Sequence, residues 1–362
     1  MRKLFALPVM IVLSVLLCQS AVAEHNDDHA DSWYTYHWGR GLTLPAANLN
    51  IGGYFKGSYN RLENQRETFA LDDLSLFITW TPHARLRFFT EIEQHNWINN
   101  DGVENFVDKL NIERLFVDFL ITDSSSFRFG KFLTPFGRWN TIHSAPLVWT
   151  TNRPVVTYDV AFAPRANGLM YNYTRIVDEH NLDVSIYLDN STNLEPKSFN
   201  NVTFDKAAGL RINYELTEEF QIGTSYLAYQ QLADLDPATG LPVHHLFGLD
   251  FLWQHQGYEL MLESLYHMRG STGNRSLEEK GLYLQGVAPL GSKVSAVARY
   301  EYFDTHESQT FSYSSSNVSH IGVAGLAWRP YLPIVFKSEY RFGDNNRSIA
   351  PSGLFISVAM FF

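Results

Sequence analysis

Alternation of apolar and polar positions is the dominant pattern along this chain, and it is clearest over residues 352–362. One parity is continuously apolar, and the other carries small and polar residues among aromatics. Because successive side chains of a strand point to opposite faces, the pattern predicts a strand with one apolar face. About ten such residues cross a bilayer as a tilted strand, provided that the strand edges are paired. The pattern therefore predicts the closing strand of a membrane barrel, with a buried strand of a soluble sandwich as the alternative.

From Asn48 onward the chain divides into strand patterns separated by alternately short and long connections. The short connections are Thr81–Ala84, Thr122–Ser126, Ile176–Asn181, Thr217–Phe220, Gln256–Gly257, Leu290–Ser292 and Arg329–Tyr331. The long connections are Leu62–Arg66, Asn99–Val107, Gly137–Ala166, Asn190–Asp205, Leu232–Val243, Gly270–Glu278, Thr305–Ser316 and Asp344–Pro351. Outer-membrane barrels have an even number of strands, short periplasmic turns and longer outside loops. The alternation therefore predicts an all-β fold, a transmembrane antiparallel β-barrel of about 16 strands.

Charged residues keep a constant parity within these strand patterns. A charge on the lipid face costs about 2–4 kcal/mol at the bilayer midplane, so these positions are predicted to face the lumen. The predicted lumen wall includes Arg85, Arg87, Glu91, Glu93, Arg114, Asp118, Arg128, Arg211, Arg299, Lys337 and Arg341. The parity changes near Glu113, which indicates a β-bulge. Aromatic residues near strand ends, among them Trp80 and Trp328, match the membrane interfaces.

The N-terminus has the features of a secretory signal. Arg2 and Lys3 precede an apolar run, and Ala21-Val22-Ala23 is a small-x-small cleavage site. We expect a signal peptide over residues 1–23, a periplasmic lead-in over residues 24–47 and the barrel over residues 48–362. Removal of the signal changes the formal net charge from −10 to −12, which argues against nucleic acid as a partner. It also removes Cys18, the single cysteine, and with it disulfide chemistry.

A barrel of this size leaves an aqueous channel unless something fills it. The longest connection, residues 137–166, is the candidate constriction. Its ionisable residues are Arg138, His143, Arg153, Asp159 and Arg165. Three arginines against one aspartate would attract anions at a narrow point, opposed by Glu91, Glu93 and Asp118 on the wall. The alternative is that the arginines pair with lumen carboxylates and only hold the connection in place.

A local motif carries a family resemblance. Gly130-Lys131-Phe132, followed by Pro135-Phe136-Gly137 and the long third connection, resembles the phosphate-selective porin family and related general porins. The resemblance implies sixteen strands, a homotrimer and a third outside loop folded into the pore. The remaining inferred lumen positions mix acids and bases, and the 137–166 connection contains no lysine. A transverse field between walls of opposite sign is therefore expected in place of a ladder of basic residues.

These observations predict a porin of the bacterial outer membrane, in contact with its lipid. Its expected role is passive diffusion of small hydrophilic solutes or ions through a water-filled lumen that an inward-folded loop narrows. The alternative is a barrel without a channel that acts as a receptor, adhesin or scaffold. We find no nucleophile-elbow, P-loop or dinucleotide motif, so we expect no enzyme activity and no catalytic residues. The sequence predicts no cofactor and no metal site, and it does not identify the preferred solute.

Overall fold

The protein is a closed antiparallel β-barrel of sixteen strands, as the computed structural model shows. The structure describes residues 33–103, 110–142, 144–158, 164–190, 204–231, 240–272, 275–309, 315–343 and 351–362. The barrel strands are β1 (Leu49–Leu62), β2 (Thr68–His83), β3 (Leu86–Asn99), β4 (Leu110–Thr122), β5 (Ser125–Leu133), β6 (Arg165–Val177), β7 (His180–Asp189), β8 (Lys206–Glu215), β9 (Phe220–Gln230), β10 (His244–His255), β11 (Tyr258–Thr272), β12 (Arg275–Pro289), β13 (Val294–Gln309), β14 (Ser315–Tyr331), β15 (Ile334–Phe342) and β16 (Gly353–Phe361). The predicted fold class is confirmed.

Shorter elements flank these strands. They are the short strands Thr35–His37, Gly41–Leu44 and Gly102–Val103, the 3-10 turn Pro45–Ala47, and the helices α1 (Trp139–Ile142) and α2 (Val155–Tyr158). No helix in the described ranges has the length and apolar character of a membrane span. The first two short strands form a hairpin that pairs with the start of β1 through Leu42 and Ile51. The described part of the predicted lead-in is therefore ordered against the barrel.

Each strand pairs with its sequence neighbour, and β16 closes the barrel on β1 with Ser357 opposite Ser58. Gly53 and Phe362 exchange two backbone hydrogen bonds at this seam, of 3.0 and 2.9 Å. A Cβ atom on Gly53 would lie 2.7 Å from the Phe362 ring and 2.1 Å from the Ser75 carbonyl oxygen. Glycine at this position allows the terminal strand to approach β1 closely.

Burial alternates along the strands as the parity of the sequence predicts. In β15 the side chains of Val335, Lys337, Glu339 and Arg341 are buried inside the barrel. Exposed apolar and aromatic side chains cover the outside, where they meet lipid. Aromatic pairs lie at the strand ends, including Trp80 with Phe88 and Trp328 with Phe336. Such rings mark the membrane interfaces.

Two bulges change the face of consecutive residues. Between β3 and β4, Glu91 pairs with Arg114 while Ile92 pairs with Ile112, so Glu113 is the extra residue. This confirms the bulge predicted near Glu113. A second bulge in β2 leaves Asp72 without a register partner on either side. Bulges re-aim side chains, and here they bring additional carboxylates to the inner face.

Two of the predicted connections differ from the structure. Residues 270–278 were predicted as a long connection, but β11 and β12 continue as a hairpin in which Thr272 pairs with Arg275. Similarly, β13 extends to Gln309 and β14 begins at Ser315, inside the predicted 305–316 connection. Antiparallel backbone pairing does not require apolar side chains, so strands can continue beyond the membrane into polar sequence. Polarity alone therefore overestimated these loops.

Candidate functional site

The inner face of the barrel carries charged residues, and many of them form ion pairs within a strand or between nearby strands. Their nitrogen–oxygen distances are 2.5 Å for Arg114–Glu91, 2.7 Å for Arg128–Asp118, 2.5 Å for Arg87–Asp118, 2.8 Å for Arg211–Asp250 and 2.7 Å for Arg299–Glu301. In the first two pairs the carboxylate side chains are 0% and 4% exposed, whereas the arginine side chains are 21% and 22% exposed. In these two pairs the arginine is the member that faces the water of the lumen.

Predicted wall residues lie on this inner face with one exception. Arg341 is buried with its guanidinium 4.6 Å from the centre of the Phe355 ring, and Lys337 is 2% exposed. Arg85 lies in the two-residue turn between β2 and β3 and is exposed. The alternation that points Arg87 inward was also applied to Arg85, but the strand β3 begins only at Leu86. Alternation does not apply to a residue in the turn.

A different network surrounds Glu93. The His95 ring bridges two carboxylates, with Nδ1 2.7 Å from Asp73 and Nε2 3.1 Å from Glu93. The hydroxyls of Tyr54 and Ser75 donate to Glu93, each over 3.1 Å. The described partners of Glu93 are therefore wall residues and not the arginines of the 137–166 connection.

The β5–β6 connection, residues 134–164, lies against this inner face. Three wall glutamates accept hydrogen bonds from its backbone N–H groups. Glu263 accepts from Arg138 and Trp139 at 2.9 and 3.1 Å, and Glu339 accepts from Thr151 and Asn152 at 2.8 and 3.1 Å. Glu301 accepts from Val155 at 2.5 Å. Such charge-assisted bonds are roughly twice as strong as neutral ones.

Wall cations hold the carbonyl groups of the same connection. Lys337 Nζ donates to the carbonyl oxygens of Ala145 and Thr150, over 2.6 and 3.1 Å. Arg329 donates to Pro146 over 2.8 Å, and Arg299 donates to the carbonyl oxygen of Asn152 over 3.2 Å. The backbone of residues 145–152 is therefore clamped between a carboxylate and three cations. Lys337, Arg299 and Glu339 are buried, and buried charges need such partners.

The local sequence explains how the connection reaches these partners. Gly137 has φ +63°, in the left-handed region that glycine adopts freely. A Cβ atom there would lie 2.1 Å from Glu263 Oε1. The side chain of Asn140 donates to the carbonyl oxygens of Thr134 and Pro164, which joins the two ends of the connection. Trp139 packs edge-on against Tyr283 of β12.

The structure separates the three arginines predicted for the constriction. Arg138 donates to Gln221 and Asn213 over 3.1 and 3.3 Å, and its Nε lies 3.4 Å from Asp250. Arg165 is the first residue of β6 and pairs with Glu113. Arg153 donates to the carbonyl oxygen of Thr157 within the connection. His143 and Asp159 lie outside the described residues.

The sequence analysis did not predict that Glu263, Glu301 and Glu339 bind the β5–β6 connection. Glu263, Glu301 and Glu339 lie at equal spacing along the chain, on alternate strands β11, β13 and β15. Equal spacing over pairs of strands indicates a common level around the barrel. From this equal spacing the sequence could have predicted a row of carboxylates that binds one segment of the chain.

A cavity of about 350 Å³ remains between the connection and the arginine-bearing wall. Its lining residues are Arg114, Arg128, Leu133, Pro135, Arg138, Thr141, Ile142, Met170, Asn172, Asp183, Ser185, Arg211 and Asn213. Arginine is the most frequent residue type in this lining. The cavity therefore combines a positive surface with apolar and amide groups.

Comparisons with known proteins agree with this architecture. The chain matches none of the protein families searched. It is 22% identical over 336 residues to an uncharacterized protein of Aquifex aeolicus (strain VF5), a match that covers 81% of this chain and 75% of that protein. The identity is too low to assign a family.

Solved structures with a similar fold are outer-membrane proteins. OmpF of Salmonella typhi in complex with daunomycin has a TM-score of 0.64 at 12% identity, covering 91% of this chain and all of that one. An anion-selective porin from Comamonas acidovorans scores 0.60 at 11% identity, with 87% and 99% covered. A trimer form of OmpT from Vibrio cholerae scores 0.59 at 11% identity, with 87% and 99% covered.

These similarities establish the fold. The chain is a sixteen-stranded barrel of the kind found in bacterial outer-membrane porins, and its location is the bacterial outer membrane. The more specific resemblance to phosphate-selective porins stays a prediction.

Proposed function

We propose that the protein is an outer-membrane porin that allows passive diffusion of small hydrophilic solutes or ions. A sixteen-stranded barrel is wide enough to hold an aqueous channel, and its inner face is charged. The observation that carries the proposal is the docking of the β5–β6 connection on the inner face. Its contacts reach Ser225 of β9, Glu263 of β11 and Ser357 of β16, so the segment lies across part of the lumen and narrows it.

The same contacts place the described part of this connection on one side of the lumen. The connection is bound to the β9–β16 side of the wall, and a cavity remains beside β4 to β8. A passage along that side is consistent with diffusion of hydrated solutes. We further propose that the protein assembles as a homotrimer, which the trimer form of the similar Vibrio cholerae barrel supports. Crosslinking in outer-membrane preparations tests the assembly.

Liposome swelling tests the diffusion function. The refolded mature chain, residues 24–362, is inserted into liposomes, which are then diluted into isotonic sugars of increasing size. A porin narrowed by the connection gives fast swelling with small sugars and a sharp fall above a limiting size. Folded, heat-modifiable barrel that gives no swelling with any sugar would exclude diffusion and favour the receptor or adhesin alternative.

A further inference from the structure

The cavity beside β4 to β8 has a lining of ordered charged and apolar side chains, which diffusion of water and ions does not require. Four of its lining residues are arginines: Arg114, Arg128, Arg138 and Arg211. The carboxylates that pair with them lie in the wall, where Glu91, Asp118 and Asp250 have side chains 0%, 4% and 1% exposed. Asp183 is the one carboxylate in the described lining, and Thr174 donates to it over 2.7 Å. The charge that this lining presents to a solute is therefore predominantly positive.

Two of these guanidinium groups are held rigidly with donors to spare. Arg128 lies 3.8 Å from the centre of the Phe116 ring and gives Nε and Nη2 to Asp118. Arg114 lies 4.7 Å from the Phe89 ring centre and gives Nε to Glu91. Within the described ranges these bonds leave Nη1 of both arginines and Nη2 of Arg114 for a further acceptor. Preorganised, unsaturated guanidinium groups are suited to bind a carboxylate.

Part of the lining is apolar. Its apolar residues are Leu133, Pro135, Ile142 and Met170, and Met170 is the cross-strand neighbour of Arg128, so apolar side chains lie beside the arginines. Ile142 lies on α1 within the connection and is 43% exposed, whereas the apolar side chains packed together inside the barrel are buried. An exposed large apolar side chain at such a position favours contact with the hydrocarbon part of a ligand.

We propose that this cavity is a binding subsite for small organic carboxylates that carry a short hydrocarbon body. The carboxylate lies against Arg114 and Arg128, and the hydrocarbon part lies against Ile142 and Met170. A cavity of about 350 Å³ is at the lower end of the range for small-molecule pockets. An inorganic anion would satisfy the arginines but would leave the apolar residues uncovered, so the subsite favours organic anions over phosphate. This inference rests on the proposed channel function, because the solute reaches the cavity through the lumen.

The test measures binding and conduction separately. Isothermal titration calorimetry of the detergent-folded barrel is carried out with acetate, butyrate, hexanoate and phosphate, and the same anions are added to single channels in a planar bilayer. We expect affinity to rise by roughly two- to fourfold for each added methylene. Phosphate should bind more weakly than hexanoate, and hexanoate should reduce the open current in a saturable way.

Three variants locate the effect. Ile142→Thr should retain acetate binding and lose the dependence on chain length. Arg114→Gln combined with Glu91→Gln removes an ion pair without changing the net charge and should weaken every carboxylate. Leu332→Thr, at a turn residue that is 96% exposed and remote from the cavity, is the matched control and should behave as wild type.

The outcomes distinguish the two proposals. Affinity that is independent of chain length, equal binding of phosphate and hexanoate, or chain-length dependence that persists in Ile142→Thr would each overturn the subsite. Open channels without selective binding would contradict the subsite and leave the porin function intact. Selective binding by a barrel that shows no conductance steps would support the subsite and contradict the porin function.

Discussion

Two sides of the lumen wall use the same residue types for different purposes. On the β11–β15 side, Glu263, Glu301 and Glu339 accept hydrogen bonds from backbone N–H groups of the β5–β6 connection. On the β3–β5 side, Glu91 and Asp118 are paired with wall arginines and lie behind them. The β11–β15 side therefore binds the β5–β6 connection of the same chain, and the β3–β5 side presents arginine side chains to the lumen. Parity in the strand places all of these carboxylates inside the barrel. Whether a carboxylate binds the connection or pairs with a wall arginine depends on which residue lies next to it.

The largest effect is expected from removing the docking carboxylates. Glu263→Ala combined with Glu339→Ala deprives four backbone N–H groups of a charged acceptor, and bonds to charged groups contribute about 1.5–3 kcal/mol each. The connection should leave the wall, so that single-channel conductance rises severalfold and proteases cleave within residues 134–164. Glu215→Ala is the control, because Glu215 bonds only to the neighbouring Asn181 of β7 in the described structure. An unchanged conductance with an intact connection would mean that these bonds do not hold the segment.

On the arginine side, the test compares a single variant with a paired one. Arg114→Gln leaves Glu91 buried without its cation, which costs about 3–5 kcal/mol, so the heat-induced unfolding of the barrel should shift to a clearly lower temperature. Adding Glu91→Gln should restore most of that stability. The double variant should nevertheless conduct anions less selectively, although its formal charge equals that of the wild type. A reversal potential unchanged by the double variant would contradict the view that arginine outweighs its buried partner.

A smaller effect is expected at the joint between the two sides. Gly137→Ala places a methyl group against Glu263 and imposes the left-handed conformation on alanine, which costs about 1–2 kcal/mol. Conductance should become noisier as the start of the connection is displaced. Gly240→Ala is the control, because Gly240 also has a positive φ, +82°, but no atom lies within 4 Å of an added Cβ, so this change adds backbone strain without a collision. A Gly137→Ala channel as quiet as this control would contradict the role assigned to Gly137.

The smallest effect is expected at a periplasmic turn that belongs to neither side. His255 Nδ1 lies 2.6 Å from Glu219, and its hydrogen bond, with another from Trp253, lowers the pKa of that carboxyl. A lowered folded-state pKa adds stability that is present above the unfolded value of about 4.3 and is lost as the pH falls through the folded value. His255→Gln should therefore lower the unfolding temperature slightly near neutral pH and converge with wild type in acid. A difference that grows in acid would have the wrong sign.

The sequence alone could predict the features that depend on the alternation of apolar and polar residues along the strands. The sixteen strands, the face of Lys337 and Arg341, and the bulge at Glu113 follow from the period of two and the cost of charge in lipid. It failed at Arg85 and at residues 270–278, because neither parity nor polarity marks where a strand begins and ends. The partners of Arg138 and Arg165 could not be predicted either. Parity places a residue on the inner face but does not show which distant residue of the lumen lies opposite.

The most direct test of the account is the single-channel conductance of refolded residues 24–362, with the reversal potential measured under a potassium chloride gradient. The account predicts discrete conductance steps, because the connection narrows the lumen without closing it. It also predicts a reversal potential with the sign of the chloride equilibrium potential, which indicates anion selectivity. The reason is that arginine faces the lumen and its carboxylate partners are buried. A folded barrel without steps would contradict the channel, and steps with cation preference would contradict the role assigned to the arginines.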